Sequence, residues 1–187
     1  GLAGGMALFG FAAMGLALID SAPEMASLAL CLAAASAGFL VLNFSPARVF
    51  MGDAGSVPLG FLAGGIGIAG WWHGVWLVWF PLLVFSPFVV DASATLARRV
   101  LRRERFWHPH RDHYYQRLVR MGWSHRRLAL TEYCLMAACG VSALALLQAS
   151  FVIQVVGLSA WCCIYAAAML SIDRLWANSD AGRGVSA

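Results

Sequence analysis

An uncharged run at residues 54–90 constrains this chain more than any other feature, because it contains no Asp, Glu, Lys or Arg over 37 residues. About 20 apolar residues are enough to cross the hydrocarbon core of a bilayer. The run is therefore long enough to enter a membrane and return. Tryptophan and glycine at residues 70–74 mark the reversal, since Trp favours the headgroup level.

The composition also indicates a membrane protein. Apolar residues make up 61% of the chain and charged residues 12%, against about 25% charged in a typical soluble domain. We predict an all-α, polytopic fold with about six membrane crossings in a single membrane domain over residues 1–187. The crossings are residues 6–19, residues 25–42, two within residues 54–90 and two within residues 133–172.

The positive charge is concentrated in one segment. The chain has no lysine, and ten of its thirteen arginines lie between Arg98 and Arg127. Short loops rich in arginine stay in the cytoplasm, so we predict a basic cytoplasmic loop at residues 97–128. With six crossings, both termini lie on that side. Residues 51 and 105 are then cytoplasmic, whereas residues 72 and 148 face outside.

The segment at residues 43–60, NFSPARVFMGDAGSVPLG, contains Asp53, the last charge before the long apolar run. Two interpretations remain open. Residues 53–56 can form a simple turn, with Ser56 capping the next helix. Alternatively, free backbone N–H groups at a helix start suit a phosphate, and the Asp53 carboxylate suits Mg²⁺.

Asp91 lies at the inner end of the fourth predicted crossing. An ionisable group at membrane depth is a functional candidate by default. The alternative is that Asp91 lies at the interface and forms an ion pair with Arg98 or Arg99. Both interpretations remain open from the sequence.

A histidine-rich segment, HPHRDHYYQRL at residues 108–118, follows the first arginines. Pro109 suits the first position of a helix, and spacings of three and four then bring His110, His113 and Arg117 to one face. Such a face suits a pyrophosphate. Zinc is the rival ligand, but no cysteine is near and no fourth ligand has a familiar spacing.

Two of these motifs resemble those of the polyprenyl-phosphate N-acetylhexosamine-1-phosphate transferases, glycosyltransferase family 4. The resemblance rests on Asn43, on Pro46 and Ala47, on FMGDAGS at residues 50–56 with Leu59 and Gly60, and on HRDHYYQRL at residues 110–118. It implies a multi-pass enzyme of the bacterial inner membrane with its active site on the cytoplasmic face. Such enzymes transfer a sugar-1-phosphate from a UDP-sugar to undecaprenyl phosphate, release UMP and initiate a lipid-linked cell-envelope polysaccharide.

The resemblance also implies partners and residue roles. The expected cofactor is Mg²⁺, with Mn²⁺ as an alternative, and membrane lipids are further partners. No nucleic acid is expected, and a homodimer is left open. The expected catalytic residues are Asp53, His110 and His113, with Asp53 also the metal ligand; the expected substrate-binding residues are Asn43, Gly55, Ser56, Asp91, Arg111 and Arg117.

One expected element of the family is missing from the sequence. The family uses an adjacent Asp-Asp pair, and no two acidic residues are adjacent in this chain. GLAGG at residues 1–5 resembles the end of the family motif Asp-Gly-x-Asp-Gly-Leu-Ala-Gly. We therefore expect the chain to be the C-terminal part of a longer enzyme of about ten helices, and to be inactive alone.

Two other classes of protein remain as alternatives. In a transporter or anion-conducting protein, Asp53 and Asp91 line a polar path and the arginines attract anions. In a non-catalytic membrane scaffold, the missing carboxylates need no explanation. For the enzyme, the sugar stays open among GlcNAc, its deoxy derivatives such as FucNAc and QuiNAc, and MurNAc-pentapeptide.

Overall fold

The structure is a computed structural model that describes residues 1–103 and 113–179. It contains helices and no strand in those residues, which confirms the all-α fold class. The helices are α1 (Leu2–Leu18), α2 (Pro23–Asn43), α3 (Gly52–Trp72), α4 (Trp79–Val84), α5 (Ser86–Leu101), α6 (Tyr114–Arg120), α7 (His125–Leu147) and α8 (Phe151–Asn178).

The six predicted crossings correspond to α1, α2, α3, the α4–α5 pair, α7 and α8. By length and composition, four helices in the described residues are long and apolar enough to cross a membrane: α2, α3, α7 and α8. Helix α1 is apolar but shorter, with 17 residues. The reversals lie where the sequence predicts them, after Trp72 and between Leu147 and Phe151.

The fourth crossing is broken at Phe85, which the sequence analysis did not predict. Pro87 has no backbone N–H, so it cannot bond the Leu83 carbonyl as a helix requires. The Ser86 hydroxyl donates to that carbonyl instead, at 2.6 Å. The Tyr165 hydroxyl of α8 lies 2.7 Å from the Ser86 hydroxyl, so the break is also tied to a neighbouring helix.

Helix α1 lies at the centre of the bundle and packs against α2, α3, α4 and α7. Its side chains Phe11, Met14 and Leu18 are fully buried, together with Phe80 of α4. Small residues allow this close approach. A Cβ added at Gly10 of α1 would lie 2.5 Å from the Phe85 ring, so the core accepts no side chain there.

The end of the bundle near α6 differs from the prediction in one respect. Part of the helix expected from Pro109 falls outside the described residues. Within them, the helix begins at Tyr114, and His113 precedes it with an extended backbone, φ −57° and ψ 146°. His113 is thus the N-cap of α6 and not a residue on its face, which corrects the shared helical face predicted from spacing.

Candidate functional site

Asn43 shapes the loop that follows α2. It is the last residue of α2 and is only 6% exposed. Its side-chain amide donates to the Val49 carbonyl at 2.6 Å, and the Arg48 N–H donates to the Leu42 carbonyl at 2.8 Å. These bonds fold residues 44–50 back over the end of α2. Phe50, the residue after Val49, remains 80% exposed at the edge of this loop.

The Asp53 motif belongs to a helix. Helix α3 begins at Gly52, whose φ of 59° is a left-handed conformation that favours glycine. Residues 53–56 therefore form its first turn, and the interpretation of these residues as a simple turn capped by Ser56 is wrong. Among the described residues, no side chain caps the first N–H groups of α3. The exposed Asp53 carboxylate also interacts favourably with this positive helix end.

Gly55 and Ser56 have different surroundings from Asp53. A Cβ added at Gly55 would lie 2.5 Å from the Met51 side chain, so Met51 covers one side of this turn. Ser56 lines a small, mostly apolar cavity of about 200 Å³ that also contacts Met6 and Leu59. Among the described residues, the lining of this cavity contains none of the other predicted substrate-binding residues.

A larger cleft of about 1010 Å³ opens between the end of α2, the loop after it, α6 and the start of α7. Its lining combines apolar groups with amide, hydroxyl, guanidinium and imidazole groups. The lining residues are Gly1, Leu2, Asn43, Ser45, Pro46, Ala47, Phe50, Tyr115, Gln116, Val119, Arg120, His125, Leu128 and Ala129. Of the predicted substrate-binding residues, Asn43 is the one in this lining among the described positions.

The structure brings together two predicted site residues that are 22 positions apart, Asp91 of α5 and His113. The His113 Nδ1 atom lies 3.6 Å from the Asp91 Oδ1 atom. The same oxygen accepts a hydrogen bond from the Tyr114 N–H at 2.9 Å, and Thr95 donates to it at 3.3 Å. Asp91 therefore holds the first residue of α6 and the histidine before it.

Asp173 of α8 binds two arginines, and the sequence analysis did not select it. Its carboxylate forms an ion pair with Arg98 of α5 and another with Arg117 of α6, the latter at 3.1 Å. Arg98, one alternative partner proposed for Asp91, is thus paired with Asp173. The only sequence signal was position, since Asp173 ends the last uncharged run on the side of the Arg-rich loop.

Helix α6 joins this ion-pair cluster to the cleft. Tyr115 and Gln116 line the cleft, and the Gln116 amide donates to the Tyr115 hydroxyl at 3.2 Å. Burial raises the pKa of the Tyr115 phenol above its ordinary value, so the hydroxyl stays protonated. The Tyr115 ring also stacks on the His113 ring, with their centres 5.7 Å apart. One short helix thus contacts the cleft, His113 and Asp173.

The remaining predicted residues are His110 and Arg111, which lie outside the described residues. A metal site is not complete in the part of the chain that the structure describes, because it contains no group of three or more His, Cys, Asp or Glu side chains able to hold an ion. Mg²⁺ requires near-octahedral oxygen coordination, and Asp53 offers one carboxylate. The described residues therefore supply one candidate magnesium ligand, Asp53, and the other ligands would have to come from elsewhere.

The described residues form a bundle of apolar helices, four of them long and apolar enough to cross a membrane, with a cleft and several arginines at one end; this is the architecture of a multi-pass membrane protein. Comparison with known proteins gives the family. The model of glycosyl transferase family 4 matches residues 1–71. The chain belongs to the polyprenyl-phosphate sugar-1-phosphate transferases, as its motifs predict. It is a multi-pass bacterial membrane protein.

Curated relatives match over most of the chain. A probable undecaprenyl-phosphate N-acetylglucosaminyl 1-phosphate transferase of Bacillus subtilis is 31% identical over 153 residues, covering 80% of this chain and 43% of the relative. A phospho-N-acetylmuramoyl-pentapeptide-transferase of Thermosynechococcus vestitus is 35% identical over 151 residues, covering 75% of this chain and 38% of the relative. The chain thus spans about two fifths of the length of these relatives.

A further relative matches more closely over a shorter stretch. The phospho-N-acetylmuramoyl-pentapeptide-transferase of Moorella thermoacetica is 49% identical over 69 residues, which is 36% of this chain and 22% of that protein. The comparison with solved structures gave no significant match.

Proposed function

We propose that this chain forms part of an enzyme that transfers an N-acetylhexosamine-1-phosphate from a UDP-sugar to undecaprenyl phosphate, with release of UMP. The observation that carries the proposal is the placement of α6, which lines the cleft on one side and begins at the Asp91–His113 pair. The names of the relatives support the same reaction class. Transfer occurs on the cytoplasmic face of the bacterial inner membrane, where the Arg-rich loop lies.

The cleft has the groups that a nucleotide sugar requires. Phe50 offers an exposed ring on which a flat base can stack, and such contacts are worth about 1–3 kcal/mol per base in nucleic-acid complexes. Arg120 and His125 line the same cleft and suit phosphate oxygens. Asn43 sets the shape of the wall through its bond to Val49.

The reaction is a phosphoryl transfer. An oxygen of the lipid phosphate attacks the β-phosphorus of the UDP-sugar, a new P–O bond forms, and the bond from that phosphorus to the bridging oxygen breaks. The electron pair leaves on UMP. Catalysis of such a step is mostly positioning and electrostatic stabilisation of the charge that develops. His113, held by Asp91, and the predicted residues His110 and Arg111 are the groups we assign to that charge, whereas Arg117 pairs with Asp173.

We keep Mg²⁺, with Mn²⁺ as an alternative, as a proposed cofactor with Asp53 as one ligand. When bound, such an ion neutralises pyrophosphate oxygens. The ion would need further ligands from the substrate or from carboxylates outside the described residues. Asp53→Asn should therefore lower both turnover and the affinity for Mn²⁺ measured by electron paramagnetic resonance. Unchanged Mn²⁺ binding would remove Asp53 from the metal site.

The function is tested with the full-length protein in nanodiscs, undecaprenyl phosphate and a panel of UDP-sugars. We expect UMP release and a lipid-linked product with at least one N-acetylhexosamine. The variant His113→Ala should lower turnover at least about tenfold, equivalent to roughly 1.4 kcal/mol. His73→Ala is the matched control, because His73 is exposed at the opposite end of α3 from Asp53. A full-length protein that releases no UMP with any sugar contradicts the proposal.

A further inference from the structure

Asp173 joins groups from three helices at the end of the bundle where α6 packs. Its Oδ1 atom accepts from Arg98 of α5 at 2.9 Å and from Arg117 of α6 at 3.1 Å, and its Oδ2 atom accepts from Arg98. The Tyr114 ring lies beside both guanidinium groups, 5.0 Å from that of Arg98 and 5.3 Å from that of Arg117. Bidentate and networked pairs of this kind contribute more than isolated surface pairs.

Helix α6 cannot hold this position by itself. It has seven residues, and isolated helices shorter than about 12–15 residues are marginal in water. Two of the seven are arginines, and both contact the Trp176 ring of α8, Arg117 at 5.8 Å and Arg120 at 4.7 Å. The cytoplasmic end of α8 therefore supplies both a carboxylate and an aromatic face to α6.

Core packing does not fix the end of α8. The helix is 28 residues long and contains no buried residue. The Arg117 side chain is only 11% exposed and that of Asp173 is 28% exposed, so their ion pair is partly shielded from water. A partly buried carboxylate that neutralises two guanidinium groups leaves a large repulsion when it is removed. The relative position of α5, α6 and α8 thus depends on Asp173.

Movement of α6 would change the site itself. The residues Tyr115, Gln116 and Val119 of α6 line the cleft, and the first residue of α6 is held beside His113 by Asp91. We propose that Asp173 is a positioning residue for the sugar-phosphate transfer, which it serves by locking α6 to α5 and α8 so that His113 and the cleft wall keep their places. This inference rests on the function proposed above.

The test uses the full-length enzyme and separates charge from shape. Asp173→Asn removes the charge and should lower turnover about tenfold. Asp173→Glu keeps the charge and should stay within about threefold of the unmodified enzyme; it also keeps the test valid if the Asn variant fails to fold. Asp20→Asn is the matched control, because Asp20 is an exposed carboxylate in the turn between α1 and α2.

Exchanging the charges of Asp173 and Arg117 tests whether turnover lost in the single variants can be restored. In the double variant Asp173→Arg with Arg117→Asp, the cluster still has two guanidinium groups and one carboxylate. Its turnover should be several-fold higher than that of either single variant, because each single variant leaves like charges together. A double variant no better than the worse single one overturns the proposal.

A structural measurement makes the outcome independent of activity. Spin labels at Met121, after α6, and at Leu130 of α7 report the position of α6 in a background without the native cysteines. Asp173→Asn should shift or broaden their distance distribution, and the charge exchange should restore it. The proposal is overturned if the distance distribution of the Asp173→Asn variant is unchanged. It is also overturned if that distribution shifts while turnover stays equal to that of the unmodified enzyme. If the unmodified enzyme transfers no sugar phosphate, the proposed function itself is wrong. The outcomes for the Asp173 variants, by contrast, test only the positioning role of Asp173.

Discussion

The Nδ1 atom of His113 lies 3.6 Å from the Oδ1 atom of Asp91, at the start of α6. Asp91 also accepts the Tyr114 N–H at 2.9 Å, so one carboxylate holds both the imidazole and the backbone that carries it. A side chain on a helix of the bundle thus fixes a histidine of the basic segment at residues 97–128. We predict from this arrangement that Asp91 orients His113, and the expected contact of Asp91 with substrate stays a prediction.

Asp91→Asn should lower turnover at least about tenfold in the full-length enzyme, because it weakens the hold on His113 while preserving the shape of the side chain. Combined with His113→Ala, it should cause little further loss, since residues that act as a unit are not additive. Turnover is measured as UMP release. Glu24→Gln is the matched control, because Glu24 is exposed in the first turn of α2. If the losses of turnover in the two single variants add fully in the double variant, Asp91 and His113 do not act as a unit.

Much of this fold could be predicted from the sequence. Long uncharged runs determine where helices can cross a membrane, and their ends agree with the observed reversals after Trp72 and Leu147. The break at Phe85 is different, because a local cause, Pro87, is combined with a contact of the Ser86 hydroxyl to Tyr165, 79 positions away, that the sequence does not indicate. Only the packing of α5 against α8 creates that contact.

The site shows the same division. Asp91 and His113 were selected for their residue types and positions, and the structure brings them together. Asp173 was not selected, because nothing local indicates that the end of α8 packs against α6. The start of α3 at Gly52 was also missed, because residues 53–56 have the composition of a turn. In the structure the chain turns at Gly52, whose backbone is left-handed, and residues 53–56 are helical.

Asn43→Ala should weaken binding of the UDP-sugar about tenfold, because the Val49 carbonyl loses its donor and the loop that carries Phe50 is released. The loss of one bond to a buried group is worth about 1–3 kcal/mol. Binding is measured by calorimetry with the full-length protein. Ser27→Ala is the control on the same helix, since the exposed Ser27 hydroxyl donates to the Pro23 carbonyl of its own helix. Equal affinity in the Asn43 variant would exclude a role for this loop.

The topology follows from placing the cleft and the arginines at one end of the bundle. Cysteines introduced at Met51 and Arg102 should be labelled by an impermeant reagent only from the cytoplasmic side. Met51 precedes the start of α3 and Arg102 follows the end of α5, and we place both of these helix ends on that side. A cysteine at Trp72, at the other end of α3, should be labelled only from outside. The measurement uses right-side-out and inverted vesicles in a background without the native cysteines. Labelling of Met51 and Arg102 from opposite sides would contradict a shared site.

The last prediction concerns the contribution of the helix break at Phe85 to stability. Ser86→Ala should lower the free energy of unfolding by about 1 kcal/mol, because interhelical hydrogen bonds in membranes have about that strength. The loss leaves the Leu83 carbonyl and the Tyr165 hydroxyl without the Ser86 group that both contact.

Unfolding is followed by circular dichroism in detergent, and Ser171→Ala is the control because the exposed Ser171 hydroxyl donates to the Ala167 carbonyl of its own helix. Tyr165→Phe combined with Ser86→Ala should cost less than the sum of the single changes, since both remove the same contact. Additive losses would show that the two hydroxyls act separately. The helix break would then depend on Pro87 and on the Ser86–Leu83 hydrogen bond, without a contribution from α8.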